Sequence, residues 1–194
     1  MFENYKKTSI INSRKKGVMK MLDKFIPDLY QKSIYTIDYD KLKLRGIKVL
    51  IFDLDNTIVP IFEDKPSRKS MDLFEKLKKK GFKIFIMSNS NQKRLTPFKE
   101  MLEVDCAFSS KKPFLNKFKK IIEEFEFKLN EMVIIGDQVV TDIFGGNRFG
   151  ITTILVDKIH KKDHFLTHFT RGIEKLIMFS AKRKKIFSKG NYYE

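Results

Sequence analysis

An α/β fold, a Rossmann-like parallel sheet with helices on both faces and no cap domain, is predicted by three features of this chain. Short apolar runs alternate with helix-like stretches between residues 46 and 156, the pattern of parallel strands joined by crossover helices. Polar groups suited to chemistry follow the ends of four of these runs, at the edge where open parallel sheets bind ligands. The stretches from Asp55 to Ser88 and from Ser88 to Lys112 are short, and strands and helices already use most of them.

The expected strands run from Ile47 to Leu54, Phe82 to Met87, Val104 to Phe108, Met132 to Ile135 and Thr152 to Val156. Each is a short apolar run bounded by turn-forming or polar residues, as for a strand buried on both faces. Met71, Phe74 and Leu77 mark one face of a first helix that ends before Gly81, and Gln92 to Leu102 forms a second. Phe114, Phe118, Ile121, Ile122 and Phe125 give a third its apolar stripe. The last crossover is shorter, Val139 to Phe144, ahead of Gly145-Gly146.

The chain divides into an extension over residues 1–45, a core over 46–159 and a basic C-terminal extension over 160–194. The first flank carries Val18, Met21, Leu22, Phe25, Ile26 and Leu29 at helical spacing, with Pro27 ending or kinking the helix. The second carries Phe165, Phe169, Ile173, Leu176 and Ile177, then Lys182 to Lys185. Both read as helices that lay an apolar face on the core, with contact to a membrane or partner as the alternative.

The 194 residues suffice for one catalytic unit. Forty basic against twenty-four acidic residues give a net charge of +16, which favours anionic partners. Charge alone selects none of them, because a chain rich in lysine, isoleucine and phenylalanine and without Trp has the composition of an AT-rich coding sequence. Cys106 is the single cysteine, which excludes an intramolecular disulfide and a thiolate zinc cluster and fits a reducing cytoplasm. No apolar run reaches the length of about 18 residues that spans a bilayer, and the basic N-terminus lacks a signal-peptide core. The expected location is therefore the cytoplasm, with peripheral contact at the inner face of the cell membrane as a further possibility.

The chemistry is expected in four stations: Asp53 and Asp55, then Ser88-Asn89-Ser90, then Ser109-Ser110-Lys111-Lys112-Pro113, then Gly136-Asp137 followed by Thr141-Asp142. Two carboxylates at i and i+2 of an extended chain point the same way. Close together in an apolar setting, they need a cation between them or a division of labour between nucleophile and acid. Phosphoryl transfer uses this set: carboxylates around a hard cation, a positive side chain on the phosphate oxygens, and amides and hydroxyls to complete the cradle. Asp53 would attack phosphorus, and Asp55 would protonate the leaving oxygen and then activate water. Asp53, the carbonyl of Asp55 and Asp137 would hold Mg2+, with Asp142 a second or outer carboxylate. Ser88, Asn89 and Lys112 would bind the phosphate, with Lys111 competing for the Lys112 role.

In this order, Asp53-Leu-Asp55-Asn-Thr57, Ser88, Lys112 and Gly136-Asp137 with Asp142 resemble the haloacid dehalogenase superfamily over residues 47 to 156. The Ser-Asn-Ser, Lys-Lys-Pro and Gly-Asp-Gln…Thr-Asp-Ile-x-Gly-Gly-Asn-Arg surroundings, with Phe25-Ile-Pro-Asp28 and Ile37 to Gly46 upstream, are similar to its YqeG-type branch in subclass IIIA. The resemblance implies Mg2+-dependent phosphotransfer through Asp53. It also implies kinship with the mitochondrial phosphatidylglycerophosphatases of phospholipid metabolism.

A site without a lid binds small metabolites poorly and suits a phosphate on a bulky carrier. The leading expectation is a phosphomonoesterase for a phosphorylated lipid headgroup, held to anionic membrane by the basic flanks. A phosphatase for nucleotides or nucleic-acid ends, and a non-catalytic binding module on the same fold, are the alternatives. Asn147 and Arg148 either contact substrate or fix the turn before the last strand. His160, His164 and His168 stand four apart but lack a carboxylate to complete a metal site.

Overall fold

A computed structural model of the chain describes residues 22–110, 127–161 and 165–194, with the side chains of 165–169 outside the description. The expected helix over Phe114 to Phe125, Lys111 and Lys112, Val18 and Met21, and the side chains of His164 and His168 therefore lie outside the described residues.

The apolar runs form the strands β1 (Leu29–Gln31), β2 (Val49–Phe52), β3 (Lys83–Met87), β4 (Asp105–Ala107), β5 (Met132–Gly136) and β6 (Thr152–Val156). They make one sheet in the order β1-β6-β5-β2-β3-β4, with every neighbouring pair parallel. From β2 the chain first winds outward through β3 and β4, then returns to β5 on the other side of β2. The carboxyl ends of β2 and β5 therefore flank the crevice where winding reverses, the place open α/β sheets bind ligands.

Alternation along the strands sends side chains to two faces. Leu50, Phe52, Ile84, Ile86, Val133 and Ile135 share one cluster with residues of α1 (Tyr39–Leu44), α2 (Arg68–Lys79) and α3 (Gln92–Leu102). Val49, Ile51, Phe85, Met87, Met132 and Ile134 face the other way. On that side stand a π-helical turn, Val139–Ile143, and α4 (Phe144–Phe149). The last crossover is thus longer than its sequence suggested, since α4 runs through Gly145-Gly146. Gly146 permits this, because a Cβ there would lie 2.6 Å from Ile134 Cγ2 and Thr153 Cγ2.

The caps are local and specific. Ser67 accepts from Ser70 N at 3.1 Å to start α2, and Asn91 accepts from Arg94 N at 3.0 Å to start α3. Asn91 is the cap behind the second station.

Two findings come from the flanks. Leu29–Gln31 adds the edge strand β1, anchored by Asp28, whose Oδ2 accepts from Thr153 N at 2.9 Å. The chain then runs beyond α5 (Phe165–Arg183) to cover that edge, with Tyr193 N donating to Tyr30 O and Tyr30 N to Tyr193 O, both at 2.9 Å. An exposed strand edge is an invitation to wrong pairing, and the tail blunts it. Among the described residues no helix is long and apolar enough to cross a membrane.

Candidate active site

The register places the first and fourth stations side by side. Phe52 pairs with Ile135, and Asp53 N donates to Ile135 O at 2.9 Å, so the chain delivers Asp53 and Asp137 from adjacent strand ends. The π-helical turn then brings Asp142 back. Carboxylate oxygens of Asp53, Asp137 and Asp142 lie within 4.8 Å of one another, and the three residues are 5 %, 1 % and 0 % exposed. Asp142 is fixed by its own turn, accepting from Gln138 N at 3.2 Å. Its closeness depends on Gly136, where a Cβ would meet Asp142 Cγ and Oδ2 at 2.3 Å.

This arrangement is electrostatically incomplete. Burial pushes the Asp137 carboxyl up from 3.8 to about 7, the Arg171 guanidinium pulls against that shift, and Asp142 and Glu174 reinforce it. Among the described residues Asp137 Oδ1, Thr57 Oγ1 and Thr141 Oγ1 are buried without a hydrogen-bond partner. Buried polar atoms are seldom left so. A carboxylate trio with an unsatisfied oxygen is the donor set a hard divalent cation takes, so Asp53, Asp137 and Asp142 fit Mg2+.

Asp55 stands apart from the trio. The chain leaves β2 after Phe52 and turns beyond Asp55, with Asn56 at φ 65, Asn56 N donating to Val59 O at 2.7 Å and Ile58 N to Leu54 O at 2.9 Å. Arg94 donates to Asp55 Oδ1 from Nε at 3.2 Å and Nη2 at 2.9 Å, and Ser90 Oγ donates to Oδ2 at 2.7 Å. Arg94 also reaches Pro60 O at 3.4 Å and Glu63 O, tying the loop beyond the first station to the same carboxylate. Arg94 was absent from the sequence candidates. Its signal is its place in the first turn of the helix that opens behind Ser88-Asn89-Ser90.

Ser88 is buried and braced by its neighbours, Ser90 N donating to Ser88 Oγ at 3.1 Å and Ser110 N to Ser88 O at 3.0 Å. Asn89 is exposed beside it. The second station is thus linked to Asp55 through Ser90. Lys112 follows Ser110 outside the described residues.

A second missed group comes from the C-terminal flank. Arg171 on α5 pairs with the Asp137 carboxylate, donates to Asp137 O at 3.1 Å and pairs with Glu174 at 3.0 Å. Glu174, 3 % exposed, also pairs with Lys189 at 2.8 Å. The expected core-facing stripe on this helix is corrected at two positions: Ile173 and Leu176 are exposed, while Glu174 and Ala181 are buried and Met178 packs against the core. Asn147 proves a brace, with Nδ2 donating to Lys24 O and Ile26 O at 2.9 Å and Oδ1 accepting from Thr153 Oγ1 at 3.1 Å. Arg148 lies over the Phe144 ring at 5.4 Å. His160 N donates to Asn56 Oδ1 at 3.2 Å and its ring meets Phe62 edge-on at 5.0 Å.

Residues 59–150 match the model of the haloacid dehalogenase-like hydrolases. The chain is 39 % identical over 165 residues to the probable phosphatase YqeG of Bacillus subtilis, covering 84 % of this chain and 96 % of that one. It is 27 % identical over 173 residues to the chloroplastic and mitochondrial phosphatidylglycerophosphate phosphatase 1 of Arabidopsis thaliana, covering 82 % of this chain and 49 % of the relative. A solved Vibrio cholerae structure, proposed to be a 3-deoxy-D-manno-octulosonate 8-phosphate phosphatase, shares the fold with a TM-score of 0.50 at 13 % identity, covering 81 % of this chain and 97 % of that one. The chain belongs to the haloacid dehalogenase superfamily and, within it, to the YqeG-type hydrolases, and it is a phosphatase.

Proposed function

We propose that this phosphatase is a Mg2+-dependent phosphomonoesterase that works through an aspartyl-phosphate on Asp53, with a phosphorylated lipid headgroup as its substrate. The observation that carries the reading is the division of the carboxylates: a buried trio of Asp53, Asp137 and Asp142, and Asp55 held separately by Arg94 and Ser90. In the proposed sequence an Asp53 oxygen bonds to phosphorus as the ester P–O bond breaks. The departing alkoxide takes a proton from Asp55. Asp55 then removes a proton from a water that attacks phosphorus, releasing inorganic phosphate and restoring Asp53. Ser88, Asn89 and Lys112 hold the non-bridging oxygens, while Arg94 fixes the direction in which Asp55 delivers its proton. Mg2+ held by Asp53, Asp137 and the Asp55 carbonyl, with Asp142 as a further carboxylate, would neutralise charge on the transferring phosphoryl group.

The lipid assignment draws on two facts. The segment between β2 and β3 is taken up by a loop and α2, leaving no inserted domain there to close over a small metabolite. The Arabidopsis relative is a phosphatidylglycerophosphate phosphatase by name. Phosphate release from phosphatidylglycerophosphate in mixed micelles, from nucleotides and from sugar phosphates, each with and without Mg2+, tests the reading. The lipid is expected to be preferred, with no turnover by Asp53→Asn. Preference for nucleotides or sugar phosphates would refute the substrate, and turnover by Asp53→Asn would refute the mechanism.

A further inference from the structure

Helix α5 carries apolar residues on its outward side as well as its inward one, where Met178 and Ala181 meet the core. Its inward side carries Glu174 at 3 % exposure beside Ala181 at 0 %, with the Arg171 and Lys189 ion pairs gathered on Glu174. Its outward side carries Ile173, Leu176 and Phe179, which are 37 %, 71 % and 68 % exposed. Residues three apart on a helix lie on one side, so these three make an apolar ridge. A surface helix normally keeps its outward side polar, and a concentrated apolar ridge there marks a contact site.

The surroundings of the ridge choose its partner. Lys175, Lys182, Arg183, Lys184 and Lys185 are all exposed, and Glu174, the one acidic residue between positions 170 and 185, is turned inward. The outward side is therefore apolar along its middle, and the charged residues exposed on this stretch of chain are all cationic. A second copy would set two such cationic faces against each other. Residues 1–21, with Lys6, Lys7, Arg14, Lys15, Lys16 and Lys20 against Glu3 alone, would repel it too. Nucleic acid would satisfy the charge but offers nothing to Leu176 and Ile173. An anionic bilayer satisfies both: acyl chains receive the ridge, and headgroup phosphates receive the lysines.

We propose that the outward face of α5 docks on an anionic lipid surface, with Leu176 and Phe179 as the inserted side chains. Arg171, on the same helix, pairs with Asp137, so docking holds the catalytic edge close to the bilayer. The purpose of the surface rests on the lipid-headgroup reading, but its existence can be measured without turnover. Full-length protein is sedimented with vesicles of phosphatidylglycerol and phosphatidylcholine, and with vesicles of phosphatidylcholine alone. Wild type is expected to sediment with the anionic vesicles, less so as salt rises, and L176S/F179S is expected to partition about tenfold more weakly or worse. Both exposed substitutions leave hydrolysis of p-nitrophenyl phosphate unchanged.

Wild type remaining in the supernatant, or L176S/F179S sedimenting as well as wild type, would overturn the proposal. So would a wild-type dimer dissociated by the two substitutions, or oligonucleotide binding that they weaken equally. Docking that fails while short-chain lipid esters are still hydrolysed in solution removes only the surface. Sedimentation without lipid hydrolysis removes only the substrate.

Discussion

Removing Arg171 should make the site bind its cation more tightly while making the empty protein less stable. Arg171 is the positive charge on Asp137 in the structure, with side chains only 12 % and 0 % exposed. In alkaline solution, where the Asp137 carboxylate stays ionised, breaking a buried ion pair by deleting one partner costs about 3 kcal/mol or more, because the remaining charge is left uncompensated. For a chain of this length each 1 kcal/mol moves the melting temperature by about 2–4 °C. Arg171→Ala should therefore melt about 6–12 °C below wild type without metal. A divalent cation supplies the missing charge and no longer competes with a guanidinium, so its dissociation constant should fall about tenfold, the typical size of a coupling between two ligands of one site. Calorimetric titration with Mg2+ or Mn2+ reads the affinity, and thermal melts with and without metal read the stability. The melting deficit should shrink as metal is added. Weaker metal binding by Arg171→Ala, or an equal deficit with and without metal, would refute the reasoning and make Arg171 a brace for Asp137 instead.

Three other outcomes follow from the same geometry. Gly136→Ala places a Cβ 2.3 Å from Asp142 Cγ, against the 3.4 Å of ordinary contact; moving Asp142 away should cost about 1–3 kcal/mol in a thermal melt and weaken metal binding in the same titration. Arg94→Ala removes both guanidinium contacts to Asp55, so kcat should fall about a hundredfold with KM for a soluble ester little changed, and Arg94→Lys should recover only part because a point charge cannot make two contacts from a rigid plane. The Asp137 carboxyl stands near 7 in the folded protein against an ordinary 3.8, so the folded state keeps a proton that the unfolded chain has released between those values. That contribution to metal-free stability is fully present below about pH 4 and is lost as pH rises through about 7, at up to about 1.4 kcal/mol per pH unit for one proton. Metal binding, which needs the carboxylate, should strengthen over the same range, and melts against pH in chelator and in excess Mg2+ check both slopes.

The parts of this molecule legible in the sequence are those fixed by local pattern. Thr152–Val156 and Gln92–Leu102 keep their expected bounds because a short β-branched run and a capped amphipathic stretch each announce themselves within a dozen residues. The crevice was legible too, since a parallel sheet obliges Asp53 and Asp137 to emerge at one edge. What escaped was set by partners distant in sequence. Leu29–Gln31 is too short for its alternation to show and becomes a strand by pairing with Leu155 and its neighbours in β6. The helical period of α5 was visible, but period does not say which side faces inward. Glu174 turned in because Arg171, Lys189 and Val139 N were there to receive it. Arg94 likewise gains its meaning only from Asp55, a residue on another strand end.

The most direct test of the account is the site of phosphorylation. Wild-type protein is acid-quenched during turnover with Mg2+, digested and mapped by mass spectrometry, alongside Asp53→Asn and Asp55→Asn. The account predicts a phosphoryl group on Asp53 in wild type and none in Asp53→Asn, with the label persisting longer in Asp55→Asn because water is no longer activated. A phosphoryl group on another residue, or steady phosphate release by Asp53→Asn, would contradict it.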